Sequence, residues 1–208
     1  MSNDLDLKAL EKKAWQSVFQ DGLWDIYLGI LLTSFAVSAW LDKQPMDDDL
    51  RMGIYIGVMV LAMIFLWAGK HFITAPRMGT VRFGAERRKR RNLVRLILFI
   101  SVLLGLAVWW LTAWHGFTTG GWGFPMIWVL NILMVFGLGA YFLDYQRLYL
   151  IGFLYALVIP LDLAIKSATQ MDMDVYIFSG AGMIVVLMGL AYLIRFMRDN
   201  KPLQPHQG

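Results

Sequence analysis

Six long apolar stretches, separated by short polar segments, constrain this chain more than any other feature of its sequence. A helix needs about 20 mostly apolar residues to cross a hydrocarbon core of roughly 30 Å. We therefore predict an all-α integral membrane protein, built as a bundle of six transmembrane helices. The predicted spans are Gly22–Leu41, Leu50–Gly69, Leu93–Ala113, Phe124–Leu143, Leu148–Ile165 and Val175–Phe196.

The composition supports a membrane protein over a soluble domain. Hydrophobic residues make up 58% of the chain and charged residues only 16%, against roughly 45–50% and about 25% in soluble domains. Cysteine is absent, which excludes disulfides, thiolate catalysis and cysteine-ligated metals. We predict no cofactor and no metal site.

The orientation follows from the positions of lysine and arginine. Loop 70–92 is strongly basic, and the chain after the last span is basic too, whereas the alternate loops are acidic or uncharged. Short cytoplasmic loops carry an excess of Lys and Arg. We therefore predict a multi-pass protein of the cell (inner) membrane, with the N-terminus and the C-terminus both cytoplasmic.

The membrane domain is predicted over residues 21–198, between two cytoplasmic segments. In residues 1–20, apolar side chains recur at helical spacing (Leu7, Leu10, Ala14 and Val18), with Lys8, Glu11 and Lys12 on the other face. This pattern favours a short N-terminal amphipathic helix in the membrane interface; a simple solvated extension is the alternative. Residues 199–208 form a C-terminal tail.

Acidic residues at the start of the first span give the best candidate site. Asp21 and Asp25 are one turn apart and share a helix face, where two ionised carboxylates would repel each other. A nearby cation would relieve that repulsion. Basic residues on the same predicted side suggest a cytoplasmic polar cluster of Asp21, Asp25, Arg77, Asp144 and Arg147. Alternatively, the acids are helix N-terminal charges in the headgroup layer, stabilised by the macrodipole.

Asp162, in the fifth span, is the deepest acid in the sequence. Ionisable groups inside spans are costly, so this candidate intramembrane acid suggests an ion pathway. The alternative is an interfacial ion pair with Lys166, four residues further on.

The run of basic residues before the third span predicts contact with anionic lipid headgroups, rather than with nucleic acid. Its members are Arg87, Arg88, Lys89, Arg90 and Arg91.

Small residues at four-residue spacing predict close helix packing. Gly53 and Gly57 form such a pair in the second span, and Gly180, Gly182 and Gly189 thin one side of the sixth. We expect these residues to pack the bundle internally; a homodimer seam is the alternative.

No catalytic or phosphate-binding motif is recognisable in the sequence. Most of the spans are also poor in polar residues. We therefore expect a non-enzymatic membrane module that assembles with a membrane-protein partner or with itself. A small oligomeric transporter or channel for an ion or small solute is the alternative, and a lipid-modifying or intramembrane enzyme ranks below both.

Overall fold

The computed structural model describes residues 19, 21–78, 85–115 and 122–200. The predicted interfacial helix over residues 1–20 lies almost wholly outside these ranges, as does most of the predicted tail over 199–208. Both stay predictions.

Every regular element in the described ranges is helical. The helices are α1 (Leu23–Leu41), α2 (Asp48–Gly69), a π-helical turn (Lys70–Thr74), α3 (Ala75–Met78), α4 (Ala85–His115), α5 (Gly123–Leu143), α6 (Arg147–Thr169) and α7 (Asp174–Asp199). Six segments are long and apolar enough to cross a membrane. The predicted fold class of a six-span helical membrane protein is confirmed. The second span is longer than predicted, because α2 continues through the π turn into α3.

The chain divides into two units, and the first contains α1, α2, the π turn, α3 and α7. Helices α1 and α7 form its most extensive contact, and glycines make that contact close. A β-carbon added at Gly189 would lie 2.7 Å from the Ile26 nitrogen, and one at Gly29 would lie 2.7 Å from the Val186 nitrogen. Side chains at these positions would force the two backbones apart, as at other close membrane-helix crossings.

Ion pairs tie together the end of this unit that is predicted to be extracytoplasmic. The Lys43 ammonium lies 2.6 Å from Asp174 at the start of α7. Arg51, in the first turn of α2, lies 3.1 Å from Asp48 and 3.4 Å from Asp42, and it donates to the Met46 carbonyl. The loop between α1 and α2 is thus held by charges from α2 and α7.

The second unit contains α4, α5 and α6. Helices α5 and α6 are joined by a tight turn in which Asp144 adopts a left-handed conformation, with φ of 53°. The Trp128 indole N–H donates to the Tyr155 carbonyl at 2.9 Å, and Gly152 lies directly against the Phe136 ring. A hydrogen bond and a close contact therefore hold α5 and α6 together as an antiparallel pair.

Candidate functional site

The Asp21 carboxylate is the centre of the best-defined polar site in the first unit. Its residue is fully buried. Oδ2 accepts hydrogen bonds from the Lys70 ammonium at 2.6 Å and from the Thr74 hydroxyl at 2.5 Å, and Oδ1 accepts from the Leu23 N–H at 3.2 Å. Three donors from two chain segments thus stabilise one ionised side chain away from water.

Gly22 fixes the position of Asp21 next to α7. Its φ of 75° lies in the left-handed region, where other residues are strained. A β-carbon there would overlap the Gly189 carbonyl oxygen and lie 2.8 Å from the Leu193 nitrogen. The turn before α1 can therefore press against α7 only because residue 22 is a glycine.

The second segment of the site is the π turn, in which the Ala75 N–H donates to the Lys70 carbonyl, five residues back. Such turns are rare and often occur at functional sites. Pro76 helps to explain this one, because proline has no N–H and its ring clashes with the carbonyl four residues earlier in a regular α-helix. Lys70 and Thr74, the first and last residues of the turn, both bond to Asp21.

Apolar side chains pack next to the Asp21 site. Leu23, Ile26 and Leu193 form a buried cluster, and Leu66 and Ile73 pack against it. The ends of α1, α2 and α7 therefore meet around Asp21.

The other predicted residues of the first unit occupy different positions. Asp25 is fully buried, and a β-carbon at Gly189 would lie 2.9 Å from its Cβ. Arg77 of α3 donates to the Ile73 carbonyl in the π turn at 2.9 Å. The cation bonded to Asp21 is thus Lys70, which the sequence-based cluster did not include.

Asp144 and Arg147 belong to the second unit. Asp144 lies 3.5 Å from Arg90 of α4, and the Arg147 guanidinium lies over the Tyr145 ring, 5.3 Å from its centroid. Because the predicted cluster draws residues from both units, it stays a prediction as a whole.

The predicted lipid-contact residues lie at the start of α4. Arg88, Lys89 and Arg91 are exposed, whereas Arg90 is partly buried beside Asp144. The side chain of Arg87 lies outside the described part of the chain. Headgroup contact remains a prediction, and Arg90 already has a protein partner.

Comparison with protein-family models, with curated proteins and with solved structures found no match. Function is therefore inferred from this chain alone. Among the described residues, no group of three histidine or acidic side chains could hold a metal ion. Asp162 is partly buried on α6, four residues before the exposed Lys166, and its role as an intramembrane acid stays a prediction.

Gly53 and Gly57 of α2 differ from the glycines at the contact between α1 and α7. A β-carbon added at Gly53 or Gly57 would meet no described atom within 4 Å, whereas Gly22, Gly29 and Gly189 are all in close contact. Their predicted role in helix packing stays a prediction. If they serve it, the partner helix is one that the described residues do not bring to them.

Proposed function

We propose that this multi-pass membrane protein is a non-enzymatic interaction module that docks a partner's transmembrane helix against the Gly53–Gly57 face of α2. One observation carries the proposal: no atom of the described residues lies within 4 Å of a β-carbon added at either glycine, on a helix that is long and apolar enough to span a membrane. Small residues four apart let two membrane helices approach closely.

The ion pairs of the described acidic residues support the proposal. Asp21 bonds to Lys70, Asp174 to Lys43, and Asp144 lies beside Arg90. Each of these acids serves as a structural contact that holds helices together. The non-enzymatic part rests on the sequence, in which no catalytic motif is recognisable.

The test is the composition of the complex extracted from its native membrane into nanodiscs, measured by mass and by protein identification. We expect a stoichiometric second membrane protein with the wild-type chain, and its loss from the Gly53→Leu, Gly57→Leu double variant. Gly180→Leu is the matched control, because a β-carbon there also meets no described atom within 4 Å, and no small residue lies four positions away. An unchanged composition in the double variant would contradict the proposal; loss of a second copy of this chain would make it a homo-oligomer seam.

A small oligomeric transporter or channel is the alternative, and one observation favours it. Asp21 and Asp25 are both fully buried at the start of a membrane-spanning helix, where ionisable residues commonly belong to ion pathways. Ion flux into proteoliposomes tests this function. Flux that falls in Asp25→Asn or Asp162→Asn would support transport, and the absence of flux in the wild-type protein would exclude it for the ions tested.

A further inference from the structure

The π turn has a structural role that the docking function does not use. We propose that Lys70–Thr74 is a conformational switch in the second span, and that Asp21 is the latch that holds it in the π form. The proposal is independent of the Gly53–Gly57 face, which lies near the start of α2, whereas the π turn follows the end of that helix.

Asp21 is suited to be a latch because it bonds to both ends of the turn. A single oxygen, Oδ2, accepts from Lys70 and from Thr74. The carboxylate is fully buried, and the Lys70 side chain is 25% exposed. A buried carboxylate has no water to replace lost donors, so it favours whichever helix conformation presents both of them.

The start of the turn is held in place independently. A β-carbon at Gly69 would lie 2.8 Å from the Leu23 side chain, so the end of α2 lies directly against α1. Any change within the turn is therefore passed on to α3 rather than back to α2.

Release of the latch has a defined geometric result. A π turn holds one more residue than the α-helical turn it replaces. Rewinding it to α-helix turns the residues beyond it by one position, about 100° around the axis, which moves a Cα by roughly 3.5 Å on a cylinder of 2.3 Å radius. The rotation would present Arg77, which now donates to the Ile73 carbonyl, on another side of the helix.

Pro76 alone offers the competing account of the turn. Its missing N–H disfavours a regular helix here whether or not Asp21 is present. If Pro76 were sufficient, removal of the carboxylate would leave α3 where it is. The latch predicts instead that α3 moves when Asp21 is changed.

Distance measurement by pulsed electron paramagnetic resonance distinguishes these accounts. The chain has no cysteine, so spin labels attach only at introduced sites. One label pair, Ala75→Cys with Arg198→Cys, spans the turn. A second pair, Trp67→Cys with Arg198→Cys, ends before it. Each pair is measured in nanodiscs with wild-type Asp21 and with Asp21→Asn; Asp48→Asn, an exposed acid of α2, is the matched control.

We expect Asp21→Asn to shift the Ala75–Arg198 distances by several ångströms and to leave the Trp67–Arg198 distances unchanged. Identical Ala75–Arg198 distances in both proteins would overturn the latch and assign the turn to Pro76. A shift of both pairs would mean that α2 moves as a whole, which also overturns the proposal. If Asp21→Asn does not fold, Thr74→Val removes one donor with little change of shape. A second Ala75–Arg198 population is then expected, and a single wild-type distance overturns the proposal.

Discussion

The buried pair of Asp21 and Lys70 should contribute more to the free energy of unfolding than an exposed ion pair at the same distance. Lys70→Met leaves a fully buried carboxylate with only two of its three donors. Removing one partner of a buried pair typically costs about 3–5 kcal/mol, because the other charge stays unpaired. Asp21→Asn should cost less, since the Lys70 side chain is already 25% exposed and its flexible stem can carry the ammonium to water.

Combining the two changes should therefore cost less than the sum of the single changes. We expect a coupling free energy of about 2–3 kcal/mol, at the upper end of the range for residues in direct contact. The chain offers a matched control: Lys43 and Asp174 are the same residue types at the same 2.6 Å, but their side chains are 42% and 26% exposed. Exposed pairs couple by about 0.2–1 kcal/mol.

The assay is reversible unfolding of the purified protein in mixed micelles with increasing sodium dodecyl sulfate. The fluorescence of its nine tryptophans reports the transition. Both double-mutant cycles use the same substitutions, Asp→Asn and Lys→Met. The cycle also cancels the local hydrogen bond from the Val175 N–H to Asp174, which Asp174→Asn alone would disturb. Equal coupling energies in the two cycles would refute the reasoning that burial decides the strength of this pair.

Two further predictions concern helix packing. Gly189→Ala should destabilise the fold by at least about 2 kcal/mol, the scale of an overpacked core, because its β-carbon would lie 2.7 Å from the Ile26 nitrogen. Gly53→Ala, whose β-carbon meets no described atom within 4 Å, should leave unfolding in the same assay nearly unchanged. Equal losses of stability in the two variants would contradict the difference in packing. Trp128→Phe should cost about 0.6–1.7 kcal/mol through loss of the hydrogen bond to the Tyr155 carbonyl. Trp122→Phe, at an exposed position, is its control, and equal stability of the two variants would contradict a role for that bond.

The spans were predictable because a single physical requirement sets them. A membrane helix must be long and apolar, and both properties can be read along the chain without knowledge of tertiary contacts. The ends of the helices were less predictable: the second span was predicted to end at Gly69. The helical structure continues to Met78, and Lys70 bonds to the buried carboxylate of Asp21.

The site was predictable only in part, because its residues are brought together by tertiary contacts that the sequence does not show. Asp21 and Asp25 could be identified because they adjoin an apolar run. Their partner could not be, because Lys70 and Arg77 lie near each other in the same basic segment. In the structure Lys70, at the start of the π turn, bonds to Asp21, whereas Arg77 bonds to the Ile73 carbonyl, and a π turn is not visible in a periodicity analysis. Thr74, an uncharged residue four positions after Lys70, gave no sequence signal of its own.

The glycines show most clearly what a motif can indicate and what it cannot. Gly53 and Gly57 form the most regular small-residue pair in the chain, yet they contact no described neighbour. Gly22, Gly29 and Gly189 fit no single motif, yet they form the tightest helix contact of the first unit. A small-residue motif indicates that a helix can be approached closely, and the fold determines where that capacity is used. At α1 and α7 it is used within the chain, because Gly22 must lie against α7 for Asp21 to reach the π turn. At α2, no contact among the described residues requires the two glycines, and this difference is the reason to seek the partner of that face in another helix of the membrane.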